Sequence, residues 1–166
     1  MNRTNRLVPA EDVEAQLQLC DRIRTEWTEK QAQQPLAFVD TYGCQQNEAD
    51  SEQLRGMLQR MGFGFTDREE EAAVIVINTC AVREHAEMRV LGNVGALTHT
   101  KRKNPEQIIC LCGCAMQEPH MAEKIRRSSG TWILFSGRTS FGNFPLLFMS
   151  CFSIAAGSSR PRTLRA

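Results

Sequence analysis

AAVIVIN, residues 72–78, is an almost purely apolar run that stops at Thr79-Cys80. A strand with one wet face alternates apolar and polar residues, so an unbroken run of this length predicts a strand covered on both faces. Two other segments of strand composition flank it. LAFVDTY (residues 36–42) is broken by Gly43-Cys44, and IICLCG (residues 108–113) is followed by Cys114. Helical patterns fill the gaps. Leu54, Met57, Leu58 and Met61 recur at i, i+3, i+4 and i+7, with Asp50 or Ser51 as the expected cap and Gly62 as the stop. A second helix is expected over residues 81–97, capped by Thr79, then a polar loop over 99–107 and a short helix over 119–127. The order β-α-β-α-β-α predicts an α/β fold, a parallel sheet with flanking helices. Residues 9–34 carry Val13, Leu17, Cys20, Ile23 and Trp27 at helical spacing, which predicts a helix docked by that stripe, with Cys20 as a small apolar filler.

Cys44, Cys80 and Cys114 each fall just past the end of an expected strand, 36 and 34 residues apart. In a parallel sheet the carboxyl ends lie along one edge, where α/β proteins place their ligands. Three thiols on that edge suggest a metal or iron–sulfur site; the alternative is three incidental cysteines. Cys110 and Cys112 lie inside the apolar run and read as inert core thiols. Structural zinc takes four ligands, often in C-x-x-C pairs. No such pair occurs, and His85 and His120 are weak candidates for a fourth ligand. Three thiolates from three loops better suit a cubic iron–sulfur cluster with one iron left open.

TYGCQQNEADSE (residues 41–52), NTCAVREHAE (78–87) and GCAMQ (113–117) together resemble the amino-terminal domain of the radical-SAM tRNA methylthiotransferases. The branch they most resemble modifies isopentenyladenosine beside the anticodon. The resemblance covers roughly residues 36–127. It implies that Cys44, Cys80 and Cys114 hold an auxiliary 4Fe–4S cluster whose open iron serves sulfur insertion. It further implies a following domain, in an intact parent, with a second 4Fe–4S cluster that cleaves S-adenosylmethionine, and tRNA as the partner. The C-x-x-x-C-x-x-C signature of that domain occurs nowhere in this sequence; Cys110-x-x-x-Cys114 is followed by Gln117. Methylthio transfer by this chain alone is therefore not expected.

From Gly130 onward no helical period or fourth βα unit is evident, and an irregular tail is expected. Trp132 is encoded only by TGG and an Ile133 codon begins AT, so the frame starting at the third base must contain GAT, an Asp codon. With permitted codon choices that frame yields YVDIVFGPH, which resembles the family's continuation; only the Asp is forced. The expected organisation is a helical extension (1–35), a cluster-binding domain (36–129) and an out-of-frame tail (130–166) in which Cys151 has no evolved role. FPLLFMSCF, residues 144–152, would then be an exposed apolar liability.

The formal net charge of +1 argues neither for nor against a nucleic-acid partner. The start of the chain has no signal-like apolar core and the longest apolar stretch is too short to span a bilayer, so a cytoplasmic, reduced-thiol protein without a membrane partner is expected. Asn47, Asp50 and Glu52 are candidates for hydrogen bonds beside the thiols, although capping is the favoured account of Asp50 or Ser51. Lys101, Arg102 and Lys103 read as a solvated loop before a phosphate site. No role is evident for Gln117, and Arg83, Glu84 and His85 stand at a helix start. No small-molecule site is evident. Two other classes stay open at this point: a stand-alone iron–sulfur or electron-transfer module, and a cysteine-rich α/β domain without metal.

Overall fold

The apolar run forms the centre of the sheet. In the computed structural model, which describes residues 10–30, 32–80, 86–117, 119–128, 133–134 and 144–155, it becomes β3 (Val74–Thr79), buried at every position. Ahead of it come α1 (Ala10–Lys30), β1 (Leu36–Tyr42), α2 (Gln45–Arg60) and β2 (Gly64–Phe65). After it come α3 (Ala86–Lys103), β4 (Ile108–Cys112), α4 (Pro119–Ser128), β5 (Ile133–Leu134) and α5 (Phe144–Ala155). Five strands pair in parallel in the order β2-β1-β3-β4-β5. This is the doubly wound order whose switch point lies between β1 and β3, the two strands that chain connections leave in opposite directions.

Alternation along the strands divides the core between the two faces of the sheet. Val74 and Val76 share one cluster with Ala37, Val39, Cys110 and Cys112 and with side chains from α1, α2 and α5. Ile75 and Ile77 share the other with Ile109 and Leu111 and with Val94, Leu97, Met121 and Ile125 from α3 and α4. The first cluster contains a group of buried aromatic rings. Trp27 of α1 meets the Phe63 ring edge-on at a centroid separation of 5.0 Å, and Phe63 meets Phe148 of α5 at 5.8 Å. The α1 stripe is half used: Cys20, Ile23 and Trp27 are buried, whereas Val13 and Leu17 stay 45% and 37% exposed.

Three expectations are corrected. α2 begins at Gln45, not after Asp50 or Ser51, because Cys44 acts as its N-cap and Asn47 closes a capping box with it. α3 runs on through the expected loop to Lys103, and the expected start at Ala81 lies outside the described residues. Its polar end is helix-compatible: Thr98 and Thr100 bond back to the carbonyls of Val94 and Leu97. Lys101, Arg102 and Lys103 then complement the negative end of the helix dipole. β2, only two residues long, escaped any periodicity argument. The irregular tail also contains two ordered pieces. β5 pairs with Cys110 and Leu111 of β4, and α5 buries Phe144, Leu147, Phe148 and Met149 rather than exposing them. Phe144, Leu147 and Phe148 form a helical stripe that the apolar residues around it conceal.

Candidate metal centre

Three adjacent strands end together. Thr41 lies opposite Asn78, and Asn78 opposite Cys112, so the carboxyl ends of β1, β3 and β4 are level. Cys44 follows β1 by two residues, Cys80 follows β3 directly, and Cys114 follows β4 by two. All three sit on the same edge of the sheet, with Cys44 and Cys80 on the two sides of the switch point. The Cys80 backbone N–H donates to the Tyr42 carbonyl at 2.9 Å, which carries the β1–β3 pairing one step beyond the strands.

Their surroundings differ. Cys44 is exposed, Cys80 buried and Cys114 half-buried. The Cys44 thiol is held below its ordinary value, first by the backbone N–H of Asn47, then by that of Gln46, with a smaller contribution from the Cys80 thiol. That is the expected effect of a helix N-terminus on a cysteine. Cys114 is pushed up, first by burial and then by the charges of Cys80, Cys44 and Asp50. Cys114 thus lies within electrostatic reach of Cys80, Cys44 and Asp50.

Gly113 brings the Cys114 loop in. Its φ is +97°, and a Cβ there would stand 2.1 Å from the Thr79 carbonyl oxygen and 2.5 Å from Asn78 Oδ1. Only glycine permits this approach of the β4 end to the β3 end. Beside it, the buried Thr79 hydroxyl has no hydrogen-bond partner and does not cap a helix as expected. Cys20, Cys110 and Cys112 belong to the core: burial pushes the thiols of Cys20 and Cys112 upward, and Cys112 donates weakly to the Ile77 carbonyl. Cys110 is buried.

Among the described residues no three His, Cys, Asp or Glu side chains are gathered tightly enough to enclose a single ion. A cubic cluster makes a different demand, since its ligands bind separate iron corners and stand further apart than ligands of one ion. The donor set, three thiols with a level backbone edge and an orphaned hydroxyl beside them, fits such a group.

Residues 36–135 match the family described as "Uncharacterized protein family UPF0004". The chain belongs to that family. It is 41% identical over 143 residues to a tRNA-2-methylthio-N(6)-dimethylallyladenosine synthase from Clostridioides difficile, a match covering 84% of this chain and 30% of the relative. Proteins of the same name from Clostridium beijerinckii and Alkaliphilus oremlandii are 50% and 48% identical over 111 and 110 residues. Each of those matches covers 66% of this chain, and 24% and 23% of the relative. The chain therefore spans less than a third of the length of these curated relatives. Their names indicate methylthiotransferases, in agreement with the three-motif resemblance.

Other singled-out residues of this UPF0004 chain take structural places. Asp50 is buried and accepts from Gln46 Nε2 at 3.0 Å, and Glu52 pairs at the surface with Arg55. Lys101 is turned inward, its ammonium bonding the carbonyls of Pro105 and Gln107, so it closes the end of α3. Burial holds its pKa down, against the charge of Glu106. His120 is exposed at the start of α4, and Gln117 ends the short 3₁₀ turn that Cys114 opens. Arg83, Glu84 and His85 lie outside the described residues. Asn47 and Asn78 prove more central than expected: both are buried between Cys44 and Cys80. The signal for Asn78 in the sequence is a polar residue at the end of an apolar strand, which reads equally well as a cap, and that for Asn47 is a polar residue three places after Cys44. Among the described residues no helix is long and apolar enough to cross a membrane.

Proposed function

We propose that this chain is the cluster-holding, amino-terminal portion of a tRNA methylthiotransferase that adds a methylthio group to isopentenyladenosine near the anticodon. Cys44, Cys80 and Cys114 are the ligands of an auxiliary 4Fe–4S cluster. The observation that carries this reading is the level end of β1, β3 and β4, with one thiol beyond each strand, two of them flanking the switch point of the sheet. Bound there, such a cluster supplies an iron corner free of protein ligands, where a sulfur-containing group can be held. The protein's own part is positional. The N-terminus of α2 favours the thiolate of Cys44, Gly113 draws Cys114 against β3, and the strand ends keep the three loops at fixed separation.

Cleavage of S-adenosylmethionine, the second cluster and the tRNA-binding surface belong to the remainder of an intact parent, a cytoplasmic protein. The proposal takes residues 36–129 as the cluster-holding unit, residues 1–35 as an extension and residues 130–166 as an out-of-frame tail. Reading the coding DNA across residues 128–130 tests the last point. A frame that encodes YVD and later C-x-x-x-C-x-x-C supports it, and the lack of one in every frame refutes it.

The ligand assignment is tested by replacing, one at a time, each cysteine other than Cys151 with alanine before anaerobic reconstitution with iron and sulfide. Iron retention falls for Cys44→Ala, Cys80→Ala and Cys114→Ala and persists for Cys20→Ala, Cys110→Ala and Cys112→Ala. Loss that follows burial in the core instead would refute the assignment.

A further inference from the structure

Between Cys44 and Cys80 lies a pair of buried side-chain amides. Asn47 Oδ1 accepts the Cys44 backbone N–H at 3.1 Å and the Cys44 thiol at 3.3 Å. Its Nδ2 donates to Asn78 Oδ1 at 3.1 Å and to the Thr79 carbonyl at 3.4 Å. Asn78 Nδ2 answers with bonds to the Asn47 carbonyl at 2.8 Å and to Ser51 Oγ at 3.0 Å. Ser51 Oγ is in turn 2.8 Å from Thr41 Oγ1 on β1. The orientation of the Asn47 amide is dictated by its partners, because only its oxygen can accept from Cys44 and only its nitrogen can donate to two oxygens. Gly43 leaves the room: a Cβ there would stand 2.3 Å from Asn47 Oδ1.

We propose that Asn47 is the positioning residue of the thiol edge, its oxygen fixing the Cys44 backbone and its nitrogen tying that residue to the end of β3, so that one amide sets the separation of Cys44 from Cys80. The inference rests on the cluster reading only for the purpose of that separation. When Cys44 gives up its thiol proton to become a ligand, the 3.3 Å bond goes, but the backbone bond and both bonds to β3 stay. Asn47 therefore holds the loop in the metal-free and the loaded protein alike. A buried, fully partnered polar network selects one geometry because every alternative leaves a donor or acceptor unpaired.

The test uses the metal-free, reduced chain carrying Cys114→Ser, treated with dibromobimane, which becomes strongly fluorescent when it bridges two nearby thiols. Peptide mapping confirms the Cys44–Cys80 bridge. Asn47→Ala slows bridging about tenfold, the loss of roughly one net hydrogen bond's worth of ordering. Asn47→Asp, which keeps the acceptor and loses the donor, slows it about threefold. Ser51→Ala lowers the unfolding midpoint yet bridges within about twofold of the parent, since its hydroxyl bonds Asn78 and Thr41 and leaves every bond made by the Asn47 amide in place. Bridging at the parent rate in a folded Asn47→Ala chain overturns the proposal. Should that variant not fold, the parent rate in Asn47→Asp overturns it. Iron uptake by the same proteins separates the two claims. Slowed bridging in the Asn47 variants, with no iron taken up by the chain retaining Cys114, supports the positioning role and refutes the cluster.

Discussion

Gly113 occupies a backbone conformation and a space that no other residue fits, with the Thr79 carbonyl where its side chain would be. Gly113→Ala is expected to destabilise the chain by about 3 kcal/mol or more, measured by denaturant unfolding, and to abolish iron uptake in whatever fraction folds. Tyr42, the single tyrosine, offers a direct titration. Burial, then a hydrogen bond to Asp40 and the charge of Asp40, push its pKa up to about 12 from 10.0, with a bond from Asn93 opposing. A raised pKa stabilises the folded chain fully below the unfolded value, and that contribution is lost as pH rises through the folded one. Tyrosinate absorbance is therefore expected to rise near pH 12 in the native chain and about two units lower in denaturant, and Tyr42→Phe is expected to flatten the loss of stability between pH 10 and 12. A native midpoint near 10 would contradict this environment. At this scale the three cysteines were legible because their spacing repeats with the βα unit. Asn47 was legible only as one of several polar candidates beside Cys44, and the bond that joins it to Asn78 was not, because a polar residue at the end of an apolar strand reads alike as a cap, a loop or a buried clamp.

Elements bounded by strong punctuation were readable. β1 appears over LAFVDTY because Gly43-Cys44 ends it, and α2 stops before Gly62 as expected. The start of α2 misled because cysteine is an unusual N-cap, so the more familiar Asp50 and Ser51 drew the boundary inward. α5 was hidden for a different reason: a helix apolar on nearly all sides shows little period. Its role is packing. Trp27 of α1 packs against both Phe63 and Phe148, with a centroid separation of 6.4 Å to Phe148. Trp27→Ala is expected to cost about 3–5 kcal/mol in denaturant unfolding, and Phe148→Ala a similar amount. A negligible effect of Phe148→Ala would show that α5 does not dock on α1 in solution.

The whole molecule separates stability from chemistry along the strands. Near the amino-terminal end of β1, a cavity of about 470 Å³ is bordered by Arg24, Thr28, Gln34, Gln59, Phe63 and Phe65, at the end of the sheet opposite the thiols. At the carboxyl end the switch point between β1 and β3 carries Cys44 and Cys80, and β4 adds Cys114 from the next place in the sheet. The parallel sheet was legible from three buried runs. The full strand order was not, because β2 and β5 are too short to leave a pattern and are held by pairing alone. The level strand ends are what turn three cysteines distant in sequence into one edge, and the central claim is that this edge holds an iron–sulfur cube. The most direct measurement is a Mössbauer spectrum of the full chain reconstituted anaerobically with ⁵⁷Fe and sulfide, with iron counted in the same sample. About four irons per chain, one of them spectroscopically distinct and responsive to added thiolate, is the predicted result. A folded chain that binds no iron, or a single iron in a four-sulfur site, would contradict it.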